Sequence, residues 1–177
     1  MQLFRNGRFA VVTGDITRLQ LDAIVNPSNP DLNGAMGVDA AIHKAAGPDL
    51  ARACQKLAPV DFGQACITPG FKLPAKAIIH VAGPVWRDGS YDEETELSLT
   101  YDAALELARQ HRVRSIAFPA ISTGTYAFPI ETATAVALTA CRVYLDEFPD
   151  VFTRITFCAY TEADTQVYLR QAQRFLS

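Results

Sequence analysis

The chain has 177 residues, 49% hydrophobic and 20% charged, a balance that suits one globular domain over residues 1–177 with a sizeable buried core. With 16 Lys plus Arg against 19 Asp plus Glu the formal net charge is -3, so charge gives no reason to expect nucleic-acid binding. No apolar run approaches the roughly 20 residues of a membrane span, and the opening MQLFRNGRF lacks a signal-peptide core. A soluble, cytoplasmic monomer with no membrane partner is expected.

Short apolar runs alternate with longer helical ones from end to end. Residues 9–13 (FAVVT) predict the first strand, and Gly14-Asp15-Ile16-Thr17 follows it. Asp15 there is either a turn or helix cap or an acceptor for a ligand amine. Residues 23–26 (AIVN) predict a second strand, followed by a loop with Asn29, Gly34, Ala35, Met36 and Gly37 that ends on a helix at 38–46. Glycines bring backbone N–H groups close to an anion and a helix N-terminus adds partial positive charge, so this segment reads as a phosphate cradle. It matches neither the P-loop nor the three-glycine dinucleotide fingerprint. Asp39 either stabilises the first turn of that helix or faces the ligand.

A helix at 49–57, strands at 65–68 (ACIT) and 77–82 (AIIHVA), and a polar surface loop at 83–92 come next. The helix at 93–110 carries Ala103, Ala104, Leu107 and Ala108 at helical spacing. After a strand at 115–119 (SIAFP), the small-residue stretch 119–129 holds Ser122, Thr123, Gly124, Thr125 and Tyr126 and leads into a helix at 130–148. Two anion-suited loops at one sheet edge can grip a pyrophosphate from both sides. The last strand, 154–159 (RITFCA), ends at Tyr160, whose ring either stacks on a base or packs in the core, before a helix at 163–176. The pattern predicts an α/β fold, a three-layer α/β/α sandwich around a central mixed, mainly parallel sheet.

Cys54, Cys66, Cys141 and Cys158 form no CxxC pair and are expected to be buried free thiols. His43, His80 and His111 share no ligand spacing with them, so neither a metal site nor a cofactor is expected.

Taken together these segments resemble the macrodomain family, in its MacroD-type ADP-ribosyl hydrolase branch. The resemblance runs from Phe9 to Phe175 and rests on GDIT at 14–17, VNxxN at 25–29, GVDAAIH at 37–43 followed by AAG, HVAGPVW at 80–86 and ISTGTY at 121–126. It implies that Asp15, with Ile16 beside it, holds the adenine amino group and that Tyr160 stacks on or flanks the base. It assigns the diphosphate and distal ribose to the two loops, with Gly37, Val38, Ser122, Thr123, Gly124 and Thr125. Asn29 and Asp39 fall on the pair that orients the distal ribose and positions the attacking water, and Tyr126 closes over it. The implied activity is metal-independent hydrolysis of mono-ADP-ribosyl esters on acidic protein side chains or deacetylation of O-acetyl-ADP-ribose. A non-catalytic ADP-ribose reader and an ADP-ribose 1″-phosphate phosphatase are the alternatives. Family members carry four glycines where this chain has Gly34-Ala35-Met36-Gly37, and alanines where it has Pro27 and Ser28. A stiffer or narrower loop is therefore expected, since Ala35 and Met36 adopt left-handed geometry only with strain.

Overall fold

A computed structural model of the protein describes residues 1–176; Ser177, the end of the expected domain, lies outside them. The chain runs β1 (Gln2–Phe4), β2 (Phe9–Thr13), a 3-10 turn (Ile16–Arg18), β3 (Ala23–Ser28), α1 (Gly37–Ala46), α2 (Pro48–Leu57), β4 (Ala65–Pro69) and β5 (Ala77–Ala82). It continues through α3 (Glu93–Gln110), β6 (Ser115–Phe118), α4 (Ile130–Glu147), β7 (Arg154–Ala159) and α5 (Glu162–Phe175). The strands form one sheet in the order β1-β2-β7-β6-β3-β5-β4. The five central strands are parallel, and the edges β1 and β4 are antiparallel to their neighbours. This is the expected mixed, mainly parallel sandwich.

The strand pleat sorts the apolar residues into two cores. Ala23 and Val25 of β3, Ile79 and Val81 of β5, and Ile116 and Phe118 of β6 pack with α3, α4 and α5. The intervening Ile24, Ile78 and Ala117 pack with α1 and α2 on the other face. Burial on both faces is why these strands read as unbroken apolar runs.

β4 runs one residue further than expected, to Pro69, and β6 ends one earlier, at Phe118, but two larger differences stand out. β1 is only three residues long and forms by antiparallel pairing back onto β2 (Gln2↔Val11 to Phe4↔Phe9), a contact with no periodic signal. β3 continues past Asn26 through Pro27 to Ser28. Proline is tolerated there because β3 pairs with β5 over six positions but with β6 only at Ala23 and Ile24, leaving one side of the strand free. Beyond Ile24 the two strands part, and the gap opens at the carboxyl edge of the sheet.

Candidate functional site

The gap between β3 and β6 holds a cavity of about 580 Å³. Its walls come from the carboxyl ends of the parallel strands, where ligand crevices form in open α/β sheets. Pro27 and Ser28 of β3 stand on one side and the 119–126 loop after β6 on the other. All the residues picked from sequence reach this wall: Asp15, Ile16, Asn29, Gly37, Val38, Asp39, Ser122, Thr123, Gly124, Thr125, Tyr126 and Tyr160. Gly83, Cys158 and Asp164 also line it and were not picked. Gly83, directly after a strand, and Asp164, in the first turn of the last helix, each carried the positional signal used for the others.

The N-terminus of α1 opens onto the cavity. Met36 occupies its N-cap position and makes no side-chain hydrogen bond, and the first donor turned back into the helix is Ala40 N, 3.3 Å from Met36 O. The N–H groups of Gly37, Val38 and Asp39 are thus available to an acceptor in the cavity. Left-handed strain, the reason for expecting a stiffer or narrower loop, is absent here. Positive φ occurs at Gly34 (69°) and Gly37 (58°), the two positions that kept glycine. Met36 is extended at φ -152°, and Ala35 is not among the positive-φ residues, so neither substitution strains the backbone.

The facing loop is built on a strained frame. Ser122 has φ 65° and Ala127 φ 55°, fixed by Phe128 N donating to Ser122 O and Ala127 N to Gly124 O, each at 2.9 Å. Trp86 N donates to Tyr126 O at 2.9 Å, and the Trp86 ring packs on Phe128 at 4.7 Å between centroids. Within this frame the N–H groups of Gly124, Thr125 and Tyr126 have no partner among the described residues. The Ser122 hydroxyl is buried and also unpartnered.

The strand order places chemically distinct groups at the two ends of the cavity. At the β2–β7 end, Asp15 caps the 3-10 turn, with Oδ1 accepting from Thr17 N at 2.9 Å and Thr17 Oγ1 at 2.6 Å. The Thr17 hydroxyl holds the Asp15 carboxyl below its usual range. Asp15 is therefore both a cap and a cavity residue, and its Oδ2 lies 3.6 Å from Arg18 Nε. Tyr160 is 77% exposed, which removes the core-packing reading of its ring. Cys158 is a buried free thiol, as expected, but one set in the cavity wall, where burial pushes it up to about 11.

At the β3 end, Asp39 is only 3% exposed although it sits in the first turn of α1. Its Oδ1 accepts from Asn26 Nδ2 at 2.7 Å and its Oδ2 from Ser28 Oγ at 3.1 Å. His43 Nε2 stands 3.5 Å from the same Oδ1. Asn29 Nδ2 donates to Asn33 at 2.9 Å, and the buried Asn29 Oδ1 has no partner among the described residues. Burial, and then the charge of Asp39, raises the hydroxyl of Tyr126 above its ordinary value. No group of three or more His, Cys, Asp or Glu among the described residues is placed to hold a metal ion.

Residues 25–137, from β3 into α4, match the family model described as Macro domain. The chain belongs to the macro domain family. A macro domain-containing protein of Ralstonia nicotianae is 50% identical over 154 residues, 87% of this chain and 88% of that one. ADP-ribose glycohydrolase MACROD2 of Xenopus laevis is 44% identical over 92% of this chain, which spans 39% of that longer protein. Among solved structures, the Oceanobacillus iheyensis macrodomain with ADP is similar at a TM-score of 0.88 and 39% identity, covering 93% of this macro domain and 89% of that chain. The Trypanosoma brucei macrodomain in complex with ADP-ribose has a TM-score of 0.87 and 36% identity, covering 93% and 68%.

Proposed function

We propose that this macro domain binds ADP-ribose in the cavity and hydrolyses ADP-ribosyl esters, on acidic protein side chains or as O-acetyl-ADP-ribose, without a metal ion. The observation that carries the reading is the convergence of two sets of unpartnered N–H groups, from α1 and from the 122–126 loop, on one cavity. They suit a diphosphate. The relatives named ADP-ribose glycohydrolase and the solved macrodomains holding ADP or ADP-ribose support the same ligand.

With the diphosphate there, the base falls to Asp15 and Tyr160 and the distal ribose to Asn29, Asp39 and Tyr126. Asp15 Oδ2 accepts from the adenine amino group, and Tyr160 offers an exposed face for stacking. Asn29 Oδ1 accepts from a ribose hydroxyl. The Asp39 carboxylate, held by Asn26 and Ser28, keeps lone pairs for a water that is also held by the ligand's own phosphate. Attack by that water releases ADP-ribose and the carboxylic acid. A soluble cytoplasmic setting fits the four free cysteines.

One observation favours a reader without turnover: both Asp39 oxygens already accept hydrogen bonds from the protein, as a purely structural carboxylate would. Incubation with a mono-ADP-ribosylated protein, O-acetyl-ADP-ribose and ADP-ribose 1″-phosphate separates the readings. Free ADP-ribose is expected from both esters at a rate unaffected by chelators, with Asp39→Asn losing turnover far more than affinity. Binding without release on any substrate establishes the reader, release from the phosphate alone the phosphatase, and a chelator-sensitive rate a metal site.

A further inference from the structure

A line of buried polar side chains crosses the sheet on the α1 face and reaches the cavity only at its last member. It begins at Thr68 of β4 (4% exposed), passes through His80 of β5 and Asn26 of β3 (both 0%) and ends at Asp39. Asn26 and His80 are register partners on neighbouring strands. Thr68 Oγ1 lies 2.9 Å from His80 Nε2, Asn26 Nδ2 lies 3.1 Å from His80 Nδ1, and the same Nδ2 lies 2.7 Å from Asp39 Oδ1. Thr68, His80 and Asn26 do not line the cavity.

The direction of each hydrogen bond follows from donor counts. The Asn26 amide nitrogen has two N–H groups, one directed to the Asp39 carboxylate and the other to His80 Nδ1. His80 Nδ1 must then be an unprotonated acceptor, so its proton sits on Nε2 and is donated to Thr68 Oγ1. Burial, aided by neighbouring His43, lowers His80 to about 3, and the ring stays neutral at physiological pH. The other tautomer sets Nδ1–H against the Asn26 N–H, donor facing donor. Buried polar chains are costly unless every member is satisfied, so packing alone gives no reason to prefer these side chains to apolar ones of the same volume.

We propose that Thr68 and His80 are positioning residues for ester hydrolysis: Thr68 fixes the His80 tautomer, the tautomer fixes the Asn26 amide, and the amide fixes the Asp39 carboxylate. This rests on the hydrolase reading above. Neither residue touches substrate, and the effect belongs to turnover rather than affinity.

The test is Thr68→Val, which keeps shape and removes only the acceptor at the far end of the line, with Thr68→Ser as the conservative rescue. Thr68→Val is expected to lower the rate of ADP-ribose release about tenfold and leave the Kd for ADP-ribose within about twofold, with Thr68→Ser restoring most of the rate. Nitrogen NMR of the wild type should show His80 as the Nε2–H tautomer from about pH 5 to 8, and the Asp39 carboxyl carbon resonance should move in Thr68→Val. A wild-type His80 protonated on Nδ1 overturns the proposal whether or not the variant folds. An unmoved Asp39 resonance, or equal losses of rate and affinity, also overturns it. If the wild type releases no ADP-ribose from any ester the hydrolase reading falls, whereas the tautomer and the Asp39 resonance still decide whether the line holds the carboxylate.

Discussion

Gly34 packs so tightly on His43 that a Cβ built on it would stand 2.7 Å from the imidazole Cγ. His43 in turn reaches to 3.5 Å from Asp39 Oδ1, so the loop backbone and the buried carboxylate are in contact through one ring. Gly34→Ala meets two obstacles, this clash and a φ of 69°. It is expected to destabilise the fold by more than the usual Gly/Ala scale of about 0.4–1 kcal/mol, and to lose turnover through displaced His43. Denaturant unfolding and ester hydrolysis measured side by side check this. The paired change Ala35→Gly with Met36→Gly relieves no strain, and should cost stability without raising turnover. A faster double variant would show that these side chains obstruct the distal ribose.

Asp15 caps the 3-10 turn and is proposed to hold the adenine amine, and one substitution can separate the two. Asp15→Asn keeps an oxygen for Thr17 but replaces the carboxylate that would face the adenine amine. The variant should stay folded and lose about 1.5–3 kcal/mol of ADP-ribose affinity, the usual range for a charge-assisted hydrogen bond. Calorimetry showing unchanged affinity would move the base away from Asp15.

Tyr160 is exposed enough for its removal to leave stability within about 0.5 kcal/mol of wild type. Tyr160→Ala should still weaken ADP-ribose binding and Tyr160→Phe should not, because a face and not a hydroxyl is at work. Equal affinity in all three proteins would exclude stacking.

His80 makes the fold sensitive to acid. The folded ring titrates at about 3 and an unfolded one near its ordinary 6.5, so between these values the unfolded chain binds the extra proton. The stability that neutral His80 provides is fully present above about pH 6.5. It declines as pH falls toward 3, by at most about 1.4 kcal/mol per pH unit from this group. Unfolding measured across that window should be steeper for the wild type than for His80→Leu. Parallel curves would mean that His80 is solvated or charged in the fold.

The parallel strands and the five helices were legible because burial on both faces and one-sided helical faces leave direct periodic marks. β1 was not, since three residues carry no period and the strand exists only through its pairing with β2. Pro27 reads as a strand end, and only the early parting of β3 from β6 makes it tolerable. Most cavity residues were legible because they follow strands or begin helices, whereas Cys158, inside β7, was not. The line from Thr68 to Asp39 was not: its members lie 12, 54 and 13 positions apart, and strand pairing alone makes them neighbours. The sequence around 35 and 36 does not say which loop positions take positive φ, and the structure places it at Gly34 and Gly37 alone within residues 34–37.

The missing side-chain cap on α1 means that, on the proposed binding mode, ligand and fold draw on the same free N–H groups. A Ser, Thr, Asp or Asn at an N-cap typically contributes about 0.5–2 kcal/mol, and Met36 forgoes it. A phosphate bound at the same N–H groups completes the helix in its place. Met36→Ser should therefore raise the melting temperature of the empty protein while shrinking the further rise caused by ADP-ribose, since hydroxyl and phosphate compete for the same donors. On the proposed binding mode the ligand supplies to α1 the capping acceptor that the sequence leaves out.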